Sequence, residues 1–258
     1  MITSTRKTVL SKKILPVLAG AAILCTALST QAADLPTHSD LQTALKEVVK
    51  EKNGGFGLNM WATVVDRDGA VQAVAFSGED RGDQWPGSRV ISAQKANTAN
   101  AFSLPGLSLS TANLFSAVQP GGSLYGLQHN NPVDVSVAYG GSSDKIGTDK
   151  DPMIGKKIGG VNVFGGGLAL YNKDGKLLGA IGVSGDSSCA DHNIAWKLRD
   201  KLGLDFVPAG VSPDKDDNIV NDIKDGASSG GWGHPTCSPE AAEIAAGFSK
   251  THPVGVKK

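Results

Sequence analysis

The chain has 258 residues, with 25 basic against 25 acidic side chains, 33 glycines and few aromatics (7 Phe, 3 Tyr, 4 Trp). A zero formal charge excludes nucleic-acid binding of the kind that rests on a clear excess of Lys and Arg over phosphates. With 40% hydrophobic residues and one long apolar run, the composition is too apolar for a wholly disordered chain and too polar for a protein of many membrane spans, which leaves a globular protein of one or two domains.

Arg6, Lys7, Lys12 and Lys13 form a basic lead, Ile14 to Leu28 is an almost uncharged apolar run, and Thr30-Gln31-Ala32 supplies small residues before a cleavage point. This pattern predicts a secretory signal peptide over residues 1–32 and a periplasmic or secreted mature protein. A membrane anchor is the competing reading, but the run is broken by Pro16 and Gly20 and falls short of the roughly 20 apolar residues that cross a bilayer. Cleavage removes four basic residues and no acidic ones, so the mature chain carries 21 basic against 25 acidic residues, a net of minus four. Nucleic acid and anionic membranes become still poorer partners, and no membrane span remains.

Ser39 with Gln42 three residues on forms a capping box, and Leu41, Leu45, Val48 and Val49 recur at helical spacing up to Gly54-Gly55, so a first amphipathic helix is predicted. Trp61 to Val65 and Val71 to Phe76 are β-rich runs joined through Asp66-Arg67-Asp68-Gly69, a hairpin signal. Arg89 to Phe102 reads as a helix rich in Ala93, Ala96, Ala99 and Ala101, small enough for close packing on a sheet. The stretch from 119 to 160, rich in Gly, Ser, Asn and Asp, is longer than a plain connection and is expected to be functional or an ordered insertion. A second hairpin repeats the turn device: Leu168 to Tyr171 and Lys176 to Val183 flank Asn172-Lys173-Asp174-Gly175. A third helix is predicted from about Ala190 to Lys201, with Ile194, Ala195, Leu198 and Leu202 on one face. From Pro208 onward the chain is polar and rich in turn residues apart from Ala241 to Phe248, and such a tail would fray on its own.

Cys25 leaves with the signal peptide, so the mature chain holds Cys189 and Cys237. In an oxidising compartment these two thiols pair most simply with each other, stapling the tail to the start of the third helix. No Cys-x-x-Cys exists for zinc or redox work, and no Cys-x-x-Cys-His for covalent haem attachment. Cys189 as an isolated nucleophile is the lesser alternative.

The order of a hairpin, then Lys95-Ala96-Asn97-Thr98-Ala99-Asn100-Ala101-Phe102, then Gly165-Gly166-Gly167 leading through an Asp-Gly turn into Gly179-Ala180-Ile181-Gly182-Val183-Ser184-Gly185, then Asp191 on a helix, resembles the GlcG/HbpS family of haem-binding proteins. It is also similar to the C-terminal domain of PduO-type adenosyltransferases. The resemblance covers roughly Gly57 to Leu204. It implies an α+β fold with an antiparallel sheet flanked by helices, assembly as a homo-oligomer, and haem binding or degradation. The expected organisation is a signal peptide (1–32), a GlcG/HbpS-like domain (33–205) with an insertion at about 119–160, and a C-terminal extension (206–258). Leu168 stands after the glycines where family members commonly carry a proline.

Several other constellations are better read as structure. Gly179, Gly182 and Gly185 are spaced G-x-x-G-x-x-G rather than as a dinucleotide fingerprint, and suit close approach of a helix or room for a flat ligand. Asp186 replaces the second glycine of a nucleophile elbow at Ser184, and Ser92-x-x-Lys95 lacks the S-D-N and K-T-G partners of penicillin-binding enzymes. Asp214, Asp216, Asn218, Asp222 and Asp225 have a calcium-loop flavour, but Ile219 stands where that loop needs Gly, so a solvated polar loop is expected. Arg81-Gly82-Asp83 reads as a turn.

Haem needs an axial iron donor, an apolar slot and cationic partners for its propionates. His192, beside Asp191, and His129, in the insertion next to Tyr125, are the alternative axial candidates, and Lys95 is the candidate propionate partner. A structural histidine and a solvated lysine are the bland alternatives. The function expected is non-covalent haem binding, more a binding protein than an enzyme. The competing expectation is an accessory enzyme or small-molecule module of periplasmic metabolism with an organic acid, aldehyde or corrinoid ligand, haem degradation included.

Overall fold

The structure is a computed structural model that describes residues 35–255. The expected signal peptide lies outside the described residues. No helix among them is long and apolar enough to cross a membrane.

The centre is a four-stranded antiparallel sheet of β1 (Trp61–Asp66), β2 (Val71–Phe76), β3 (Gly167–Tyr171) and β4 (Leu177–Ser184), in the order β2-β1-β4-β3. Both hairpin turns work the same way. Asp66 Oδ1 accepts the amides of Asp68 and Ala70, Asn172 Oδ1 accepts those of Asp174 and Lys176, and Gly69 and Gly175 take the positive φ (77° and 72°) that closes each loop. The α+β architecture expected from the sequence is the one observed.

Strand alternation sends two sets of side chains to opposite faces. Ala62, Val64, Ile181 and Val183 face α1 (His38–Val48) and α5 (Ser188–Lys201), while Trp61, Val65, Val74 and Ala180 face α2 (Ser88–Phe102). The small residues of α2 let it lie on the sheet. A Cβ at Gly182 would sit 1.9 Å from Ser92 O and 2.5 Å from Ala96 N, so the middle glycine of the three is the helix contact. The first helix begins earlier than expected: Thr37 is the N-cap and closes the capping box with Asp40, while Ser39 is already helical and Gln42 bonds Phe76 O. It also ends at Val48, short of Gly54.

The 119–160 segment is ordered. It carries the short helices α3 (Leu127–Asn130) and α4 (Val135–Ala138), buries Val137, Met153 and Ile158 on the α2 side, and bonds the free edge of β2 through Val71 N to Lys156 O (2.9 Å) and Gly155 N to Val71 O (2.8 Å).

The C-terminal extension is more than a stapled tail. After a two-residue ribbon, β5 (Ile223–Lys224) and β6 (Ala227–Ser228), it forms α6 (Pro239–Ala246) and α7 (Phe248–Thr251). Ala241, Ala245 and Phe248 join the core under α5, where Phe248 stacks on Trp196 with ring centroids 5.3 Å apart. The Cys189–Cys237 disulfide is formed. The acidic stretch departs from a solvated loop: Asp216, Asp217 and Asn218 are buried, Asp217 paired with Arg199 of α5, whereas Asp222 binds Ser229 and Gly230 nearby.

Candidate functional site

Lys95 and His192 are both interior. α2 carries Lys95 under the end of β4, where its Nζ donates to Asp191 Oδ2 at 2.7 Å and to Val183 O at 3.1 Å. Burial pushes the Asp191 carboxyl up to about 6 against the pull of Lys95. Asp191 Oδ1 also accepts from Asp186 N, and Asp186 in turn gathers the amides of Phe56, Gly57 and Leu58. The cation of Lys95 is therefore spent inside the protein, tying α2 to the start of α5.

His192, one residue further along α5, is fully enclosed. Its Nε2 lies 3.1 Å from Ile219 N and 3.2 Å from Asn218 Oδ1, both from the extension, and Nδ1 is buried without a hydrogen-bond partner. Burial lowers its pKa to about 3, which keeps the imidazole neutral. An ordinary His near 6.5 takes up its proton in the unfolded chain first, so the stability held by neutral His192 is complete above about pH 6.5 and is lost as pH falls towards 3. The stability difference between wild type and His192→Gln should therefore shrink on acidification, by roughly 1.4 kcal/mol per pH unit in the middle of that window. Urea melts of both proteins between pH 7 and pH 4 check this, and a difference that does not move with pH contradicts it.

His129 stands apart, exposed in the last turn of α3 close to the exposed Tyr125. The two candidate histidines are thus not brought together.

The structure adds a place the sequence did not single out. The first residue of β1, the turn at Arg81–Asp83, the start of α2 and the end of α4 enclose a cavity of about 500 Å3, within the size range of small-molecule sites. Its walls include Trp61, Pro86, Val90, Tyr139 and Ile146, with Arg81 at the rim. Trp61 stacks on Phe76 with centroids 4.7 Å apart, and its Nε1–H is buried with no hydrogen-bond acceptor. Arg89 fixes the walls to each other: its guanidinium forks onto Asp151, with Nε to Oδ2 at 2.9 Å, and donates to Ala138 O at 3.0 Å. Arg81 is exposed and makes no ion pair among the described residues. Tyr139 is 71% exposed, an aromatic ring left on the surface beside an apolar hollow. Aromatics are few in this chain, and two of them bordering one cavity was the available signal. Trp61 was read only as a strand residue and Arg81 only as part of a turn.

Three comparisons bear on the chain. The model of a family described as haem degrading protein HbpS-like matches residues 37–199. No curated protein matches. Among solved structures, the chain is similar to a PduOC:heme complex (25% identity, TM-score 0.44, covering 65% of this chain and 94% of that one). It is similar to Klebsiella pneumoniae protein ORFY (25%, 0.43, 66% and 88%) and to a double mutant of Streptomyces reticuli HbpS (20%, 0.42, 74% and 99%). The family match ends within α5, so the extension lies beyond it.

Proposed function

The chain belongs to the HbpS-like family of haem-degrading proteins, and from that premise we propose that it binds haem non-covalently in the cavity between Trp61 and Tyr139. The observation that carries this reading is the cavity's make-up. Apolar and aromatic walls suit a porphyrin face, and Arg81 offers a cation for a propionate. Arg81 takes the role that the sequence suggested for Lys95, whose charge is held by Asp191. Bound haem supplies an iron centre able to react with dioxygen or peroxide.

Tyr139 is the cavity residue of a type that ligates haem iron. His129 is the alternative donor because it is exposed on the same insertion, whereas His192 becomes reachable only if the segment around Asn218 and Ile219 moves away. The basic lead, the apolar run and the disulfide support a periplasmic or secreted setting.

Hemin added to the purified mature chain should give a saturable Soret shift at one equivalent. Tyr139→Phe should alter the spectrum of the complex while His192→Ala leaves it unchanged. A spectrum altered by His129→Ala alone moves the iron to the insertion surface. No saturable shift in either iron oxidation state sinks the reading, and an organic acid that then raised the melting temperature would favour a small-molecule module instead.

A further inference from the structure

The disulfide at the start of α5 has a buried histidine against it. One ring nitrogen of His234 and the sulfurs of Cys189 and Cys237 all lie within 4.8 Å of one another. His234 is 1% exposed, and its ring bonds Pro235 O through Nδ1 at 2.8 Å. A carbonyl only accepts, so Nδ1 carries the proton and Nε2 holds the lone pair. That Nε2 is buried and has no hydrogen-bond partner, an arrangement that costs stability unless another group uses the nitrogen.

The sulfurs are equally prepared for negative charge. Cys189 N–H donates to Cys237 Sγ and Cys237 N–H to Cys189 Sγ, each at 3.2 Å. Cys189 also lies in the first turn of α5, the end of a helix that stabilises a thiolate. Cys237 is exposed. A cleft of about 590 Å3 lined by Phe115, Gln119, Ile223 and Pro235 opens beside the cluster, and the Phe115 ring lies 5.2 Å from that of His234.

We propose that reduction of the Cys189–Cys237 bond turns this cluster into a site for a thiophilic divalent cation of the zinc type, held by two thiolates and the His234 imidazole. A dithiol attacks the exposed Cys237 sulfur and leaves as its own disulfide. Two electrons pass to the protein, the S–S bond breaks and two thiols form. As the two metal–sulfur bonds form, the thiols release two protons. Three protein donors leave the fourth tetrahedral position open to water. While the disulfide is intact neither sulfur is a thiolate, so the site exists only in the reduced protein.

Anaerobic titration of the mature chain with Co2+, after dithiol treatment and removal of the reductant, tests this. The reduced wild type should show a thiolate-to-cobalt charge-transfer band saturating at one equivalent, and the oxidised protein none. His234→Ala should lose the tight one-to-one endpoint although both thiols remain. Cobalt binding should weaken in guanidinium, where a built site is lost but two loose thiols are not. No band in the reduced wild type, equal affinity in buffer and denaturant, or a titration unchanged by His234→Ala would each overturn the proposal.

Discussion

Replacing Asp217 by alanine should destabilise the protein by about 3–5 kcal/mol, the usual consequence of leaving one member of a buried ion pair alone. The Asp217 and Arg199 side chains are both fully buried, with Nη1 to Oδ2 at 2.7 Å and Nη2 to Oδ1 at 2.8 Å. Burial pushes the Asp217 carboxyl up, but Arg199 and the Ser108 hydroxyl outweigh it and hold the group below the usual carboxylate range. Arg199 also donates to Ala169 O of β3 at 3.1 Å and lies 4.8 Å over the Trp196 ring. One pair therefore locks the extension, α5 and the sheet together, and its loss strands a guanidinium in the core. Against a typical total stability of about 5–15 kcal/mol, that is enough to unfold a marginal protein. The urea midpoint gives the answer. The paired replacement Arg199→Met with Asp217→Leu should recover most of the loss, because no charge is then left to desolvate. A change below about 1 kcal/mol in Asp217→Ala would mean the pair is replaceable by water, contrary to its burial.

Opening the disulfide is expected to cost about 4 kcal/mol, the loop-closure entropy of the 48-residue span between Cys189 and Cys237. The loss should be felt first in the extension. Residues around Cys237 keep only a few other ties to the body, Ser116 Oγ to Gly233 O at 2.6 Å, Ser238 Oγ to Gly54 O at 2.9 Å and the Phe115 ring against His234, while α6 and α7 are held by Asn193 Nδ2 to Ala241 O, Trp196 Nε1 to His252 O, and the Phe248 stack on Trp196. Reduced protein should accordingly unfold at lower urea and show faster amide exchange near 229–238, with the sheet still protected. Equal midpoints for oxidised and reduced protein would show that the side-chain attachments suffice without the bond.

The parts of the fold that were legible in the sequence are those encoded over a few neighbouring residues. Asp66 to Gly69 and Asn172 to Gly175 each contain their own turn chemistry, and the alanines of α2 announced a close packing partner, found at Gly182. The disulfide followed from counting cysteines. What stayed hidden depends on contacts between distant stretches. Nothing local distinguishes Asp217 in a polar run from its exposed neighbours, because its burial is decided by Arg199, Ser108 and the docking of the whole extension. Lys95 was read as a propionate partner, yet its partner in the fold is Asp191, 96 residues away, and that pairing takes its charge off the surface. The cavity draws on three separate stretches, so only fragments of it, Tyr139 among them, fell within a segment already suspected of function.

The cavity can be closed without disturbing the fold. A Cβ at Gly87 meets nothing nearer than Ile91 Cδ1 at 3.9 Å, and the backbone there, at φ −67° and ψ −22°, accepts any side chain. Gly87→Phe should therefore fill the hollow between Arg81 and Tyr139 with no loss in urea midpoint. The decisive measurement is a hemin titration of this variant beside the wild type. Haem binding in the cavity predicts an affinity lower by about tenfold or more, a difference of at least ~1.4 kcal/mol. Equal affinity and an identical Soret spectrum in the two proteins would place the haem elsewhere.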